Sequence, residues 1–104
     1  MLSIKQGDTF AFKAEMKNED ETPMTGIAYK LKSQIRDIKN TLYAELQITE
    51  TDDIGTYIFK ADAEITKSWP VTKLYCDIQY KDADVVSSSE TIEIMVERDV
   101  TKDE

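Results

Sequence analysis

Apolar and polar residues alternate with a period of two along most of this chain. From Asp8 to Met16, Phe10, Phe12, Ala14 and Met16 fall on one side and Ala11, Lys13 and Glu15 on the other. From Ile27 to Arg36, the residues Ile27, Tyr29, Leu31, Ser33 and Ile35 oppose Lys30, Lys32, Gln34 and Arg36. Leu42, Ala44, Leu46 and Ile48 repeat the pattern against Glu45, Gln47 and Thr49; Leu74, Cys76, Ile78 and Tyr80 do so against Asp77, Gln79 and Lys81. A last run sets Ile92, Ile94 and Val96 against Glu93 and Glu97. Successive side chains of a strand point to opposite faces, so each run predicts a strand with one buried and one wet face.

Turn chemistry separates the runs. Asn18 to Pro23 is a polar loop, Thr25-Gly26 restarts the chain, and Asp37 to Thr41 is a short polar hairpin loop. Thr51 to Gly55 leads into the β-rich Thr56 to Lys60, and Lys81-Asp82-Ala83-Asp84 forms a tight hairpin. No helical stripe is present, although Ala61 to Trp69 has room for one helical turn before Pro70. The pattern predicts an all-β fold: an antiparallel two-sheet sandwich of about seven strands, immunoglobulin-like, with a small β-barrel as the alternative. Residues 1–98 form one domain in this reading, with Met1 to Gln6 as a short arm and 99–104 as a polar, acidic, flexible tail.

Composition narrows the partners. The 104 residues carry 13 Lys plus Arg against 21 Asp plus Glu, a net charge of −8. No basic stripe offsets this, so nucleic acid and anionic membrane surfaces are not expected partners. A single cysteine, Cys76, forbids an internal disulfide and favours folding in a reducing cytoplasm. Neither a signal-like apolar run nor a membrane-spanning stretch is expected from the pattern.

Candidate chemistry is sparse. The chain has no histidine, which removes the commonest general base and most zinc sites. Cys76 lies between Leu74 and Ile78 on an apolar face and reads as a small buried hydrophobe. The carboxylates sit on wet faces or in loops, not paired across a cleft as a glycosidase requires. Asp52-Asp53 and Asp82-Ala83-Asp84 lack the spacing of a calcium loop and read as turns. No catalytic, cofactor-binding or metal-binding residue is expected, and the chain is not expected to be an enzyme.

Four aromatic residues are the candidates for partner binding. Trp69, followed by Pro70, either closes one end of the sandwich or anchors a partner or a sugar ring. Tyr43, Tyr57 and Tyr75 point opposite, or partly opposite, to the main apolar set, where they either form an interface patch or express β-propensity. Arg36 is expected to reach across the sheet to Asp77.

Several short motifs run together: Gly7-Asp8-Thr9-Phe10, Thr25-Gly26, Ser33-Gln34-Ile35-Arg36, Gly55-Thr56-Tyr57, Thr66 to Trp69-Pro70, and Tyr75 to Tyr80. Ser88-Ser89-Glu90-Thr91-Ile92 to Val96, then Asp99-Val100-Thr101, complete the series. Over nearly the whole chain this order resembles small structural proteins of bacteriophages and prophages. The resemblance implies a virion-associated β-sandwich, such as a tail or baseplate component, with other phage structural proteins or copies of itself as partners. It further implies residence in the host bacterial cytoplasm and then in the virion. It supplies no catalytic residues. A carbohydrate- or receptor-binding sandwich is the alternative reading.

Overall fold

In the computed structural model, which describes residues 1–100, nine strands form two hydrogen-bonded sheets. They are β1 (Leu2–Lys5), β2 (Phe10–Glu15), β3 (Leu31–Arg36), β4 (Leu42–Glu45), β5 (Gln47–Glu50), β6 (Thr56–Ala61), β7 (Lys73–Asp82), β8 (Val85–Ser88) and β9 (Ile92–Glu97). The larger sheet runs β1-β9-β7-β3-β4, with β8 paired to β7 off that path; the smaller runs β2-β6-β5. This is the expected all-β sandwich. Its central order, β9-β7-β3-β4 facing β2-β6-β5, follows the strand arrangement of immunoglobulin-type sandwiches. The single helical turn falls in the segment where room for it was expected, as α1 (Ala63–Thr66).

Four features depart from the sequence reading. Residues Met1 to Gln6 are not a free arm: Leu2–Lys5 is a strand, and it pairs parallel to β9, so the larger sheet is mixed and not wholly antiparallel. The Leu42–Ile48 run is two strands. Its chain pairs with β3 up to Glu45, then crosses to β6 from Gln47, with the buried Leu46 at the corner donating its N–H to Ser33 O at 2.8 Å. Tyr29 sits in a 3-10 turn (Ala28–Lys30) before β3 begins and is exposed, since a turn breaks the period-two geometry that would have turned it inward. The eighth strand, β8, adds a hairpin arm to the end of β7. Of the expected tail, residues 101–104 lie outside the described residues.

The core lies between the sheets and is built from the alternating sets. Ile35, Leu74, Ile94 and Val96 from the larger sheet meet Phe10, Tyr57, Phe59 and Ala61 from the smaller. Phe12 stacks on Phe59, its register partner across β2 and β6, with ring centroids 4.9 Å apart and planes 4° apart. Phe10 meets both Phe12 and Trp69 edge-on, the latter at 5.6 Å. Such pairs add to the burial of the rings themselves. Cys76 is buried as expected; burial pushes its thiol above the ordinary range, and the Ser33 hydroxyl 3.0 Å away only partly offsets this. Ser33 satisfies its own buried hydroxyl by donating to Asp77 O at 2.7 Å.

The body is elongated, 47 × 31 × 21 Å, with a Cα radius of gyration of 14.7 Å, where a compact chain of this size has about 13 Å. All four residues of β8 are exposed, as are Lys81 and Asp82 at the end of β7.

Candidate functional site

The four aromatic candidates divide into two that build the core and two that share an outer face. Trp69 is wholly buried at the end of α1, where its N–H donates to Thr66 O. Thr66, also wholly buried, ties this end shut: its hydroxyl donates to Asp8 O at 2.7 Å and accepts from the Gly7 N–H at 3.1 Å. Gly7 has a φ of +85°, which lets the turn between β1 and β2 come down onto the helical turn. The Gln6 side-chain amide completes the closure by donating to Trp69 O. Trp69 therefore plugs one end of the sandwich, and its Nε1–H finds no hydrogen-bond partner there.

Tyr57 is wholly buried as well, and not on a wet face. The segment Tyr57-Ile58-Phe59 is apolar at every position, so alternation left its inward face undefined; Tyr57 shares the phase of Phe59 and Ala61. Its hydroxyl donates to Met24 O at 2.8 Å and accepts from the Ile27 N–H at 3.3 Å. It fastens the long loop between β2 and β3 to the core. Neither Trp69 nor Tyr57 presents a surface to a partner in this fold.

Tyr43 and Tyr75 are half-buried and lie on the outer face of the larger sheet, on either side of β3. On that face a shallow basin of about 540 Å³ is lined by Gln34, Arg36, Asp37, Ile38, Tyr75 and Asp77, among others, and Tyr43 touches it only through its hydrogen bond to Asp37. Register places Arg36 opposite Tyr75 and Gln34 opposite Asp77. The expected Arg36–Asp77 ion pair does not form. Both residues are on one sheet, but the guanidinium donates to Gln34 Oε1 at 2.8 and 3.2 Å and to Asn40 O at 2.8 Å. Nearer acceptors within its own strand and the following loop satisfy it first.

Asp37 organises the rim. Its Oδ1 accepts from the N–H groups of Lys39 and Thr41, both at 2.9 Å, and its Oδ2 accepts from the Tyr43 hydroxyl at 3.0 Å. The Thr41 N–H foremost, with the Tyr43 hydroxyl and the Lys39 N–H, holds the carboxyl below its ordinary range against a smaller opposing effect of desolvation. The same contact pushes the Tyr43 hydroxyl up. This is the physics of a rigid loop support: the carboxylate is committed to three donors and is not poised to exchange a proton.

The second candidate surface was not legible as a site. At the tip of the β7–β8 hairpin a two-residue loop, Ala83-Asp84, joins Asp82 to Val85, and Ala83 takes a φ of +53°. Glycine usually fills such a position in a tight hairpin. Val85 and Val86 are 62% and 52% exposed, and among the described residues only β7 pairs with β8. Beside its inner face a groove of about 460 Å³ is lined by Met16, Met24, Ile78, Tyr80 and Ser87, with Glu19 at the rim. Next to the hairpin tip Lys30 donates to Asp82 at 3.1 Å, an exposed pair.

No family model matches the chain, and no curated protein matches it. Among the described residues, no helix is long and apolar enough to cross a membrane.

Proposed function

We propose that this chain is a non-catalytic structural or assembly module of a tailed bacteriophage or prophage particle, working through protein–protein contacts in the host cytoplasm and then in the virion. The observation that carries this reading is the β7–β8 hairpin, whose second strand is exposed along its whole length and presents an open edge. Soluble monomers normally guard such edges with charge, proline or bulges. An unguarded one suits a protein whose edge is covered on assembly. The order of short motifs from Gly7 to Thr101 supports the phage assignment, and other phage structural proteins or further copies of the chain are the partners it implies.

The test is to purify phage particles from the induced host by density and to quantify this chain in them by mass spectrometry. A stoichiometric amount supports a virion component. Absence from particles, with abundant chain in the lysate, sinks it.

One observation favours a second reading, a carbohydrate- or receptor-binding module. The fold places Tyr75 in a basin with Arg36 and Asp77, on the same face as Tyr43, whose hydroxyl holds the basin residue Asp37. Because Trp69 is buried, its fluorescence is a poor reporter of this face, and amide shifts of Arg36 and Tyr75 on titration with cell-wall fragments are the discriminating measurement. No shift at saturating sugar argues against this reading.

A further inference from the structure

The open edge of β8 carries a further inference, one that rests on the assembly reading and names the chemistry of the partner. The pairing of Asp82 with Val85 across a two-residue loop makes that pair hydrogen-bonded on both sides, and the alternation then follows for Tyr80–Ser87. Ser89 N–H donating to Ile78 O at 2.9 Å confirms the phase at the far end. The N–H and C=O groups of Val86 and Ser88 therefore face away from β7, toward the open side. Val85 to Ser88 contains no charged residue, proline or glycine to guard them.

The side chains of an added strand would alternate between two different surroundings. On the inner face lie Val85, Tyr80 and the groove containing Met16, Met24 and Ile78. Methionine side chains adapt to varied apolar shapes. At the two ends of the edge stand the exposed carboxylates of Asp84 and Glu90, about 20 Å apart along a strand. Glu19 rims the groove. The cations nearby are Lys17, which is 3.5 Å from Glu15, Lys30, which holds Asp82, and Lys81, one strand inward from the edge.

A second copy of the chain fits this edge badly. In the register that sets Val86 opposite Ser88 of the copy, antiparallel pairing of β8 with itself places Asp84 opposite Glu90, acid against acid, between two bodies each carrying −8. We infer that the β8 edge accepts an extended segment of a different protein, about six residues long, with apolar side chains alternating toward the Met16–Met24 groove and a lysine or arginine near each end.

Two ten-residue synthetic peptides alternating valine and threonine, one flanked by lysine and one by glutamate, test this against the full chain by backbone amide NMR. The lysine-flanked peptide is expected to shift the Val86 and Ser88 amides and to bind at least about tenfold tighter than the glutamate-flanked one. Raising salt from about 50 to 300 mM should narrow that gap. Val86→Pro deletes an outward N–H without removing a β7–β8 hydrogen bond, so it should abolish binding and leave the urea midpoint in place. If that variant fails to fold, N-methylation of alternate peptide amides removes the same bonds from the other side and should abolish binding to the unaltered chain. Equal affinity for both peptides, shifts confined to other residues, or concentration-dependent dimerisation of the chain through Val86 and Ser88 each overturn the inference. Particle analysis separates it from the reading on which it rests. Particles lacking the chain, alongside peptide binding at this edge, overturn the phage assignment alone; particles that incorporate Val86→Pro as well as wild type, with no peptide bound, overturn the edge alone.

Discussion

The two halves of β7 are one continuous strand with two different fates. In the first half, Leu74, Cys76 and Ile78 are buried; β9 flanks the strand from Lys73 to Cys76 and β3 flanks it from Tyr75 to Tyr80, so that Cys76 is paired on both sides. In the second half, Lys81 and Asp82 are exposed and the flanking strand is β8 alone. Backbone pairing falls from two sides at Cys76 to one at Lys81 and Asp82, and side-chain burial falls with it. Burial against a second layer supplies most of the stability of a sheet. A strand whose end is exposed keeps its shape there but gives up its share of the core, which frees its surface for a partner.

This contrast is exposed to attack first by truncating the body. Trp69→Ala and Leu74→Ala remove wholly buried side chains and should each cost roughly 3–5 kcal/mol in urea unfolding. A cost under about 1 kcal/mol at either would mean the buried half is not the stable one. Trp69→Phe should cost less than Trp69→Ala, because it keeps an aromatic ring against Phe10 and removes the unpartnered indole N–H.

Tyr57→Phe comes next. It strands the Ile27 N–H and the Met24 C=O, and a loss of about 1–3 kcal/mol is expected, with amide exchange quickening in the loop between β2 and β3. Unchanged exchange at Ile27 would show that the loop is held by other contacts.

A smaller, pH-dependent effect belongs to Asp37. Its carboxyl is held below the ordinary range in the fold, so it contributes stability that is present above the unfolded-state pKa of about 3.9 and is lost as pH falls through the lower folded value. Asp37→Asn should thus lower the urea midpoint at neutral pH, and the gap to wild type should close as pH falls below the ordinary carboxylate range. A gap independent of pH would assign the loop's order to something other than the carboxylate charge.

The smallest effect is expected at the arm. Val85→Ala should change global stability by no more than about 0.5 kcal/mol, since the residue is mostly exposed. Amides of Leu74 and Cys76 should exchange only on global unfolding, and those around Tyr80 by a local route. Equal protection along all of β7 would erase the distinction between the halves.

Much of this was legible in the sequence. Alternation named the inward sets of β2, β7 and β9 and the burial of Cys76, and Pro70 marked where the helical turn before Trp69 must end. Other features were not, for identifiable reasons. Ile58 is apolar on the opposite phase to Tyr57 and Phe59, so the composition of β6 did not choose a face. Period two also cannot report that Leu46 marks a change of sheet, since both flanking strands keep their phase through the corner. Leu2–Lys5 is too short to show a period, and its strand identity depends on β9, more than eighty residues away. The basin and the β8 edge are products of strand neighbours, which alternation leaves unspecified. Among the aromatic candidates, alternation sets Tyr43 and Tyr75 opposite the apolar set, and they lie on the outer face; Tyr57 sits in an all-apolar run and Trp69 outside any strand, so alternation did not reveal that both are core.

The parallel pairing of β1 with β9 has a mechanical consequence. Leu2 lies beside Ile94 and Lys5 beside Glu97, so a force drawing the start of β1 away from the end of β9 acts along both strands in opposite senses. The hydrogen bonds of the pair then share the load together and must fail as a group, where a hairpin pulled from its open end would peel apart one bond at a time. Tension applied through the two ends of this domain meets its resistance at those eight residues before any of it reaches the core.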